Sequence, residues 1–321
     1  MTLQPRSTAE LATIVRDARA QRGKKGALDG MANGEANRGA LRFEGTGSWL
    51  GTQSPGSRIT VAATPVSLAG ITGVVSYVPN DLTLTVRAGT TLAELDAITA
   101  PNNQWCPLLS WGDDTGTIGA TFATATGGPC AATLGRPRDI ALGVEFVDGT
   151  GAVIRGGGHV VKNVAGFDLT RLLVGSFGSL GAITEVSVRL RARPAVDVTW
   201  CVTADGPNAA DWLSGIRRGT ITPFACEPVS DGAARSLGLP LHSALVRFGG
   251  NAALVAEARA QMSALGTLSE LDATVWTRYR ALDPHPRKLD GRPLSGGVAR
   301  RIKDQFDPSG IMNPGVFGEG A

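Results

Sequence analysis

Two short glycine-bearing segments hold the residue types and spacing that could do chemistry in this chain. The first is Glu44-Gly45-Thr46-Gly47-Ser48, and the second is Thr115-Gly116-Thr117-Ile118-Gly119-Ala120. A dinucleotide pyrophosphate needs several backbone N–H donors converging on it. Glycine lets the main chain approach closely and permits the dihedral angles of such a nest. Between residues 113 and 128 only Ile118 and Phe122 are long, so this stretch suits a cofactor lying flat against the backbone. Each segment also has a plainer reading: a simple turn for the first, a close-packed core crossing for the second. A Rossmann loop is disfavoured, because GxGxxG must open a helix and Gly51-Thr52-Gln53-Ser54-Pro55-Gly56 is a run of helix breakers.

Other chemistries find less support. Cys106, Cys130, Cys201 and Cys226 are isolated, with no CxxC, which points to buried free thiols rather than zinc, an iron–sulfur cluster or a redox dithiol. His159, His242 and His285 have no metal-ligand spacing, so no metal is expected. Lys and Arg (31) barely exceed Asp and Glu (28) and form no single-signed run, which argues against nucleic-acid or anionic-membrane binding. The N-terminus lacks the apolar core of a signal peptide, and no run approaches the roughly 20 apolar residues that span a bilayer. A cytoplasmic protein is expected, peripheral to a membrane only through partners. With 321 residues, 42% of them hydrophobic, two domains are expected rather than one.

The elements that must position the loops follow from local signals. Ser7 and Glu10 form a capping box before Leu11, Ile14, Val15 and Ala18, giving an opening helix that stops at Gly23. Residues 22–40 read as a loop or insertion. Strands are predicted at Leu41–Glu44 and near 58–62, 74–78 and 82–88, and Thr91 with Glu94 caps a short helix. Residues 140–147 and 152–155 read as a hairpin closed by Asp148-Gly149-Thr150-Gly151, and a strand carries Val186, Val188 and Leu190. From 197 the order strand 197–203, helix 209–217, strands 224–229 and 243–248, helix 252–265 and strand 273–276 gives βαββαβ, a ferredoxin-like unit. A last helix places Val298, Ile302 and Phe306 on one face and stops at Asp307-Pro308.

Taken in order, further segments join the two loops: Pro79-Asn80-Asp81, Ala88-Gly89, Gly127-Gly128-Pro129, Gly135 and Arg138-Asp139. Lys162-Asn163-Val164-Ala165-Gly166-Phe167-Asp168 follows, then the stretch from Gly175-Ser176-Phe177-Gly178 to Ile183-Thr184-Glu185, and Phe306-Asp307-Pro308 with Asn313-Pro314-Gly315. In this series the chain resembles the FAD-binding subunits of bacterial glycolate oxidases, within the vanillyl-alcohol oxidase and p-cresol methylhydroxylase superfamily, over about residues 1–195 and again from about 290.

The resemblance implies an α+β fold. A two-lobed p-cresol methylhydroxylase-type FAD-binding domain would occupy 1–195, with subdomains at about 1–62 and 63–195; a small ferredoxin-like βαββαβ cap would occupy 196–285, and 286–321 would return to the first domain. It also implies non-covalent FAD. Gly45, Thr46, Gly47, Ser48 and the segment Thr115, Gly116, Thr117, Ile118, Gly119, Ala120 would cradle the pyrophosphate, and Pro79 would border the cofactor. Thr124 to Gly127 would line the ribityl and flavin region, the Ile183 backbone would meet the pyrimidine edge, and Asn313 would approach from the tail. Asp168 has a competing role as a helix N-cap.

The implied activity is oxidation of a small 2-hydroxy acid, glycolate or D-lactate, by hydride transfer to flavin. The implied partners are a catalytic flavoprotein subunit and an iron–sulfur subunit that receive or relay electrons. Such chemistry needs a group to take the hydroxyl proton and cations to hold the carboxylate. His159 and Lys162 are the nearest candidates, and each is more simply a surface or strand-end residue. The small cap favours a supporting subunit over a free-standing dehydrogenase. A third reading, a scaffold without flavin, rests on Glu44, because the family's first loop usually has three glycines after a basic residue and a carboxylate here would sit near the pyrophosphate. The loop has no His and the later segments no Cys at a flavin-linking position, so covalent attachment is not expected.

Overall fold

The computed structural model describes residues 1–23, 39–47, 63–158, 168–203, 214–216, 219–282 and 297–316. Helix α1 (Thr8–Gly23) starts as expected: Ser7 Oγ accepts the Glu10 N–H at 3.2 Å and the Glu10 carboxylate takes the Arg6 N–H at 2.8 Å. Its buried side, Leu11, Val15 and Ala18, covers the short parallel pair β1 (Leu41–Glu44) and β2 (Thr64–Ser67). Ile311 and Met312 of the C-terminal tail complete that core. The tail is held to β1 directly, with the Leu41 N–H on the Ile311 carbonyl and the Asn313 N–H on the Leu41 carbonyl.

Beside this pair stands a five-stranded antiparallel sheet in the order β3 (Val74–Val78), β4 (Thr83–Arg87), β8 (Ala182–Arg189), β6 (Ala141–Val147), β7 (Val153–Gly157). Alternating side chains such as Leu84, Val86, Val186 and Val188 point into a core closed by α2 (Leu92–Thr99), α3 (Ile118–Ala123) and α6 (Leu169–Leu173). The Thr91/Glu94 capping box is present in full. Short helices α4 (Ala131–Leu134) and α5 (Pro137–Ile140) follow α3, and β5 (Gln104–Trp105) pairs with β9 (Arg191–Ala192).

The remaining sheet is antiparallel in the order β11 (Ala225–Pro228), β12 (Ser243–Gly250), β10 (Val196–Thr203), β13 (Thr267–Leu271). One face packs on α8 (Ala252–Ser263) through Val246, Phe248, Val255 and Met262. The other buries Leu245 and Trp276 against Trp105, Cys130 and Leu134 of the first unit. Two elements differ from the sequence expectation. Residues 273–276, read as a strand, begin helix α9 (Thr274–Leu282), and the fourth strand lies earlier, at 267–271. Burial of Trp276, whose Nε1 donates to Thr199 Oγ1 at 2.7 Å, outweighs the β-propensity of Thr-Val-Trp-Thr. An additional helix α7 (Asp231–Leu237) stands between β11 and β12, capped by Ser230 and ended by Gly238 at φ +70. The strand expected near 58–62 lies outside the described residues, as does most of the helix expected at 209–217, of which residues 214–216 are helical.

Helix α10 (Gly297–Phe306) carries Ile302 and Phe306 onto the five-stranded core, while Val298 faces outward at 62% exposure. Past it, Asp307 accepts the N–H groups of Ile311 and Met312 and the ammonium of Lys303, which also donates to the Ser179 and Met312 carbonyls. This buried cluster fixes where the tail re-enters the molecule.

Candidate nucleotide site

The two glycine segments meet. A Cβ on Gly45 would fall 2.4 Å from Thr117 Oγ1, and the Thr46 hydroxyl donates to the Thr115 carbonyl at 3.2 Å. Thr117 caps α3 by accepting the Ala120 N–H, and Gly119 lets that helix press on the end of β4, where an added Cβ would lie 2.6 Å from that of Ala88. Opposite, Gly178 adopts φ +69 beside Asn313, whose Nδ2 would be 2.7 Å from an added Cβ. Asn313 is buried and staples two segments: its Oδ1 accepts the Phe43 N–H at 2.7 Å, and its Nδ2 donates to the Phe177 carbonyl at 2.6 Å.

Together these segments line one cavity. Leu68, Ala88, Ala120, Ala123, Ile183 and Val316 make most of the wall apolar, while Gly45, Gly47 and Thr117 form one rim. An apolar wall beside a rim of small residues and main chain has the chemistry that a dinucleotide with a polar diphosphate calls for. Two charged residues, Arg42 and Glu44, belong to the same wall. They are alternate residues of β1, so their side chains share one side of the strand, and the guanidinium stands 3.5 Å from the carboxylate. The carboxylate beside the glycine loop thus faces a cation across a loose contact.

Of the residues singled out in the sequence, Gly45, Gly47, Thr117, Gly119, Ala120, Thr124, Ile183 and Asn313 line the cavity. Thr46 and Thr115 are exposed, outside the cavity wall, and bonded to each other. Gly116, Ile118 and Gly127 are supporting positions. The Gly116 carbonyl takes the Leu92 N–H, Ile118 is fully buried in the sheet core, and Gly127 backs onto Ala131. Pro79, expected to border the cofactor, is not among the residues lining this cavity, and its carbonyl accepts from Gln104 Nε2 at 2.8 Å. It precedes β4 whereas Ala88 follows it, which separates the two by roughly 15–20 Å at the rise of a strand. Ser48, His159 and Lys162 lie outside the described residues. Asp168 takes the plainer role, accepting the Arg171 N–H at 2.9 Å as the N-cap of α6.

Sequence reasoning assigned no place in the site to Arg42, Phe43, Leu68, Ala88, Phe177 or Gly178. Gly178 had a readable signal in its glycine-rich surroundings; Arg42 had one only through the strand period that sets it beside Glu44. Among the described residues no group of His, Cys, Asp and Glu could hold a metal. Cys106, Cys130 and Cys201 are buried free thiols. Burial pushes Cys106 up to about 12 and Cys130 up to about 11, the latter against the opposing pull of the Arg247 cation.

Residues 1–157 match the family model described as FAD binding domain. The chain is 39% identical to glycolate oxidase subunit GlcE of Escherichia coli (strain K12) over 40% of its own length and 37% of that protein. It is 34% identical to glycolate oxidase subunit GlcD of Bacillus subtilis (strain 168) over 46% of this chain and 32% of that one. A D-lactate dehydrogenase of Archaeoglobus fulgidus is 39% identical over 32% of this chain and 23% of that protein. The alignments thus span less than two-fifths of each of these relatives. The fold resembles a solved alkyldihydroxyacetonephosphate synthase with a TM-score of 0.71 at 14% identity, covering 98% of this chain and 75% of that one. Residues 1–157 thus carry the likeness to an FAD binding domain, and the proteins similar to this chain include glycolate oxidase subunits and a D-lactate dehydrogenase.

Proposed function

We propose that this chain binds FAD non-covalently and serves as a flavin subunit of a glycolate oxidase-like complex, oxidising a 2-hydroxy acid such as glycolate or D-lactate and passing electrons to partner subunits. The observation that carries this reading is the convergence of residues 45–47 and 117–120 on one cavity whose far wall holds Ile183 and Asn313. In its finer form the fold is a two-lobed FAD-binding domain over 1–195, joined by 286–321 and bearing a ferredoxin-like cap at 196–285.

Bound FAD would supply the capacity to accept two electrons and a proton from the substrate carbon. The chain's own residues do the holding. Gly45, Gly47 and Gly119 would let main chain approach the diphosphate, Thr117 fixes the start of α3, and the apolar wall of Leu68, Ala123, Ile183 and Val316 would exclude water from a bound ring. Asn313 cannot swing freely, because both ends of its amide are bonded to backbone, so it sets the width of the cavity.

Among the described cavity residues the titratable side chains are Arg42 and Glu44, which face each other. The similarity to glycolate oxidase subunit GlcE favours a supporting subunit with a catalytic flavoprotein and an iron–sulfur protein as partners. The similarity to a D-lactate dehydrogenase favours a second reading, a free-standing dehydrogenase. Steady-state assay of purified, flavin-loaded chain with glycolate or D-lactate and a dye acceptor separates the two. Turnover only on addition of copurifying partners is expected; enzyme-like rates from the isolated chain would support the second reading instead. Among the described residues no helix is long and apolar enough to cross a membrane, so any membrane association is proposed to run through those partners.

A further inference from the structure

Arg42 and Glu44 form an ion pair that is poorly made. The guanidinium reaches the carboxylate at 3.5 Å with one nitrogen, and Arg42 Nε and Glu44 Oε2 are buried atoms without a hydrogen-bond partner among the described residues. The part-buried Arg247–Asp197 pair shows the contrast: there the guanidinium grips the carboxylate with two bonds of 2.8 and 2.6 Å. A guanidinium is a planar fork that gains most from two-point contact with a carboxylate or phosphate. Buried donors left over beside a cavity indicate that the fork is shaped for something other than its present neighbour. Both residues line the cavity next to Gly45, and β1 is held in place by Asn313 and by β2, so the two side chains can rearrange while the strand stays fixed.

We infer that Arg42 is a ligand of the FAD diphosphate and that Glu44 is its stand-in counter-ion when the nucleotide is absent. On binding, the guanidinium exchanges a loose carboxylate contact for the phosphate oxygens; no bond is made or broken. This rests on the FAD reading above and adds to it a ligand and a competitor. Glu44 then acts as a built-in brake on affinity, since the carboxylate must give up its cation to the incoming anion. The site should therefore distinguish FAD from a flavin without phosphates.

The experiment is a titration of the full-length chain with FAD and, separately, with riboflavin, followed by quenching of flavin fluorescence, for wild type, R42Q, R42K, E44Q and R42Q/E44Q. Expected for R42Q is a loss of about 10-fold or more in FAD affinity, as for a lost charge-assisted hydrogen bond, with riboflavin binding unchanged. R42K should fall between, keeping charge but not the fork. E44Q should bind FAD more tightly than wild type, and R42Q/E44Q more tightly than R42Q, because an unmatched carboxylate no longer repels the diphosphate. Equal losses for FAD and riboflavin in R42Q and R42K would mean a damaged fold and would overturn the assignment, as would FAD affinities unchanged across the series. Wild type that binds FAD normally while the variants match it sinks this inference alone; wild type that takes up neither flavin sinks the FAD reading and this one together.

Discussion

Gly45 and Thr117, 72 positions apart in sequence, are in contact so close that no side chain fits between them: a Cβ on the glycine would lie 2.4 Å from the threonine Oγ1. That hydroxyl also caps α3, so it is not free to retreat. Gly45→Ala should therefore push the two loops apart. The expected result is a loss of about 1–3 kcal/mol in stability, the usual size of an overpacking penalty, together with a loss of FAD affinity of at least about 10-fold. Thermal melting and flavin titration on the same sample check both. Unchanged values would show that the loops do not depend on this contact.

Asn313 is expected to tolerate neither truncation nor charge. Asn313→Ala strands the Phe43 N–H and the Phe177 carbonyl in a buried setting, at about 2–4 kcal/mol for two unmade bonds. Asn313→Asp keeps an acceptor for Phe43 but sets an oxygen against the Phe177 carbonyl, so it should not restore the loss. Urea denaturation of both variants tests this, and an aspartate variant as stable as wild type would contradict it.

Lys303 and Asp307 form a buried ion pair at 2.6 Å that also anchors the tail through Ser179, Ile311 and Met312. Lys303→Met removes the cation and leaves the carboxylate buried, a change that costs about 3–5 kcal/mol. Because the tail carries Asn313 and Val316 to the cavity, the variant should also bind FAD more weakly. A chemical-denaturation midpoint within error of wild type would contradict the role given to the pair.

Two buried thiols give a pH dependence with a definite sign. Cys106 is held up to about 12 and Cys130 up to about 11, both by burial, from an ordinary value of 9.0. The folded chain keeps protons that the unfolded chain gives up, so their contribution to stability is whole below pH 9. It is lost as pH rises from there through about 11 and about 12. Denaturant midpoints between pH 8 and 11 should fall more steeply for wild type than for the Cys106→Ala, Cys130→Ala double variant. Parallel slopes would refute the assignment.

How far the sequence could be read depended on whether a signal was local. The capping residues Ser7, Glu10, Thr91 and Glu94 announce their helices because the partners lie three residues apart. Gly45 and Gly119 announce a close approach because only glycine permits one, although neither says what it approaches. Pro79 neighbours the glycine segments in sequence but sits before β4, at the end of that strand away from Ala88. Residues 274–282 are helical because Trp276 is drawn into the buried face between the sheets, a tertiary effect invisible to local propensity. Helix 231–237 had legible caps in Ser230 and Gly238, but its seven residues and an internal Gly232 give too little periodicity to register. Arg42 gains its meaning only from the cavity it shares with Glu44.

The claim on which everything else depends is that the paired glycine loops seat a flavin dinucleotide. Its most direct measurement is the absorbance spectrum and flavin stoichiometry of the purified, folded chain after incubation with FAD and removal of the excess. One FAD per chain, released intact by acid precipitation, is the expected result; a chain shown to be folded by circular dichroism that retains no flavin at saturating FAD would contradict it.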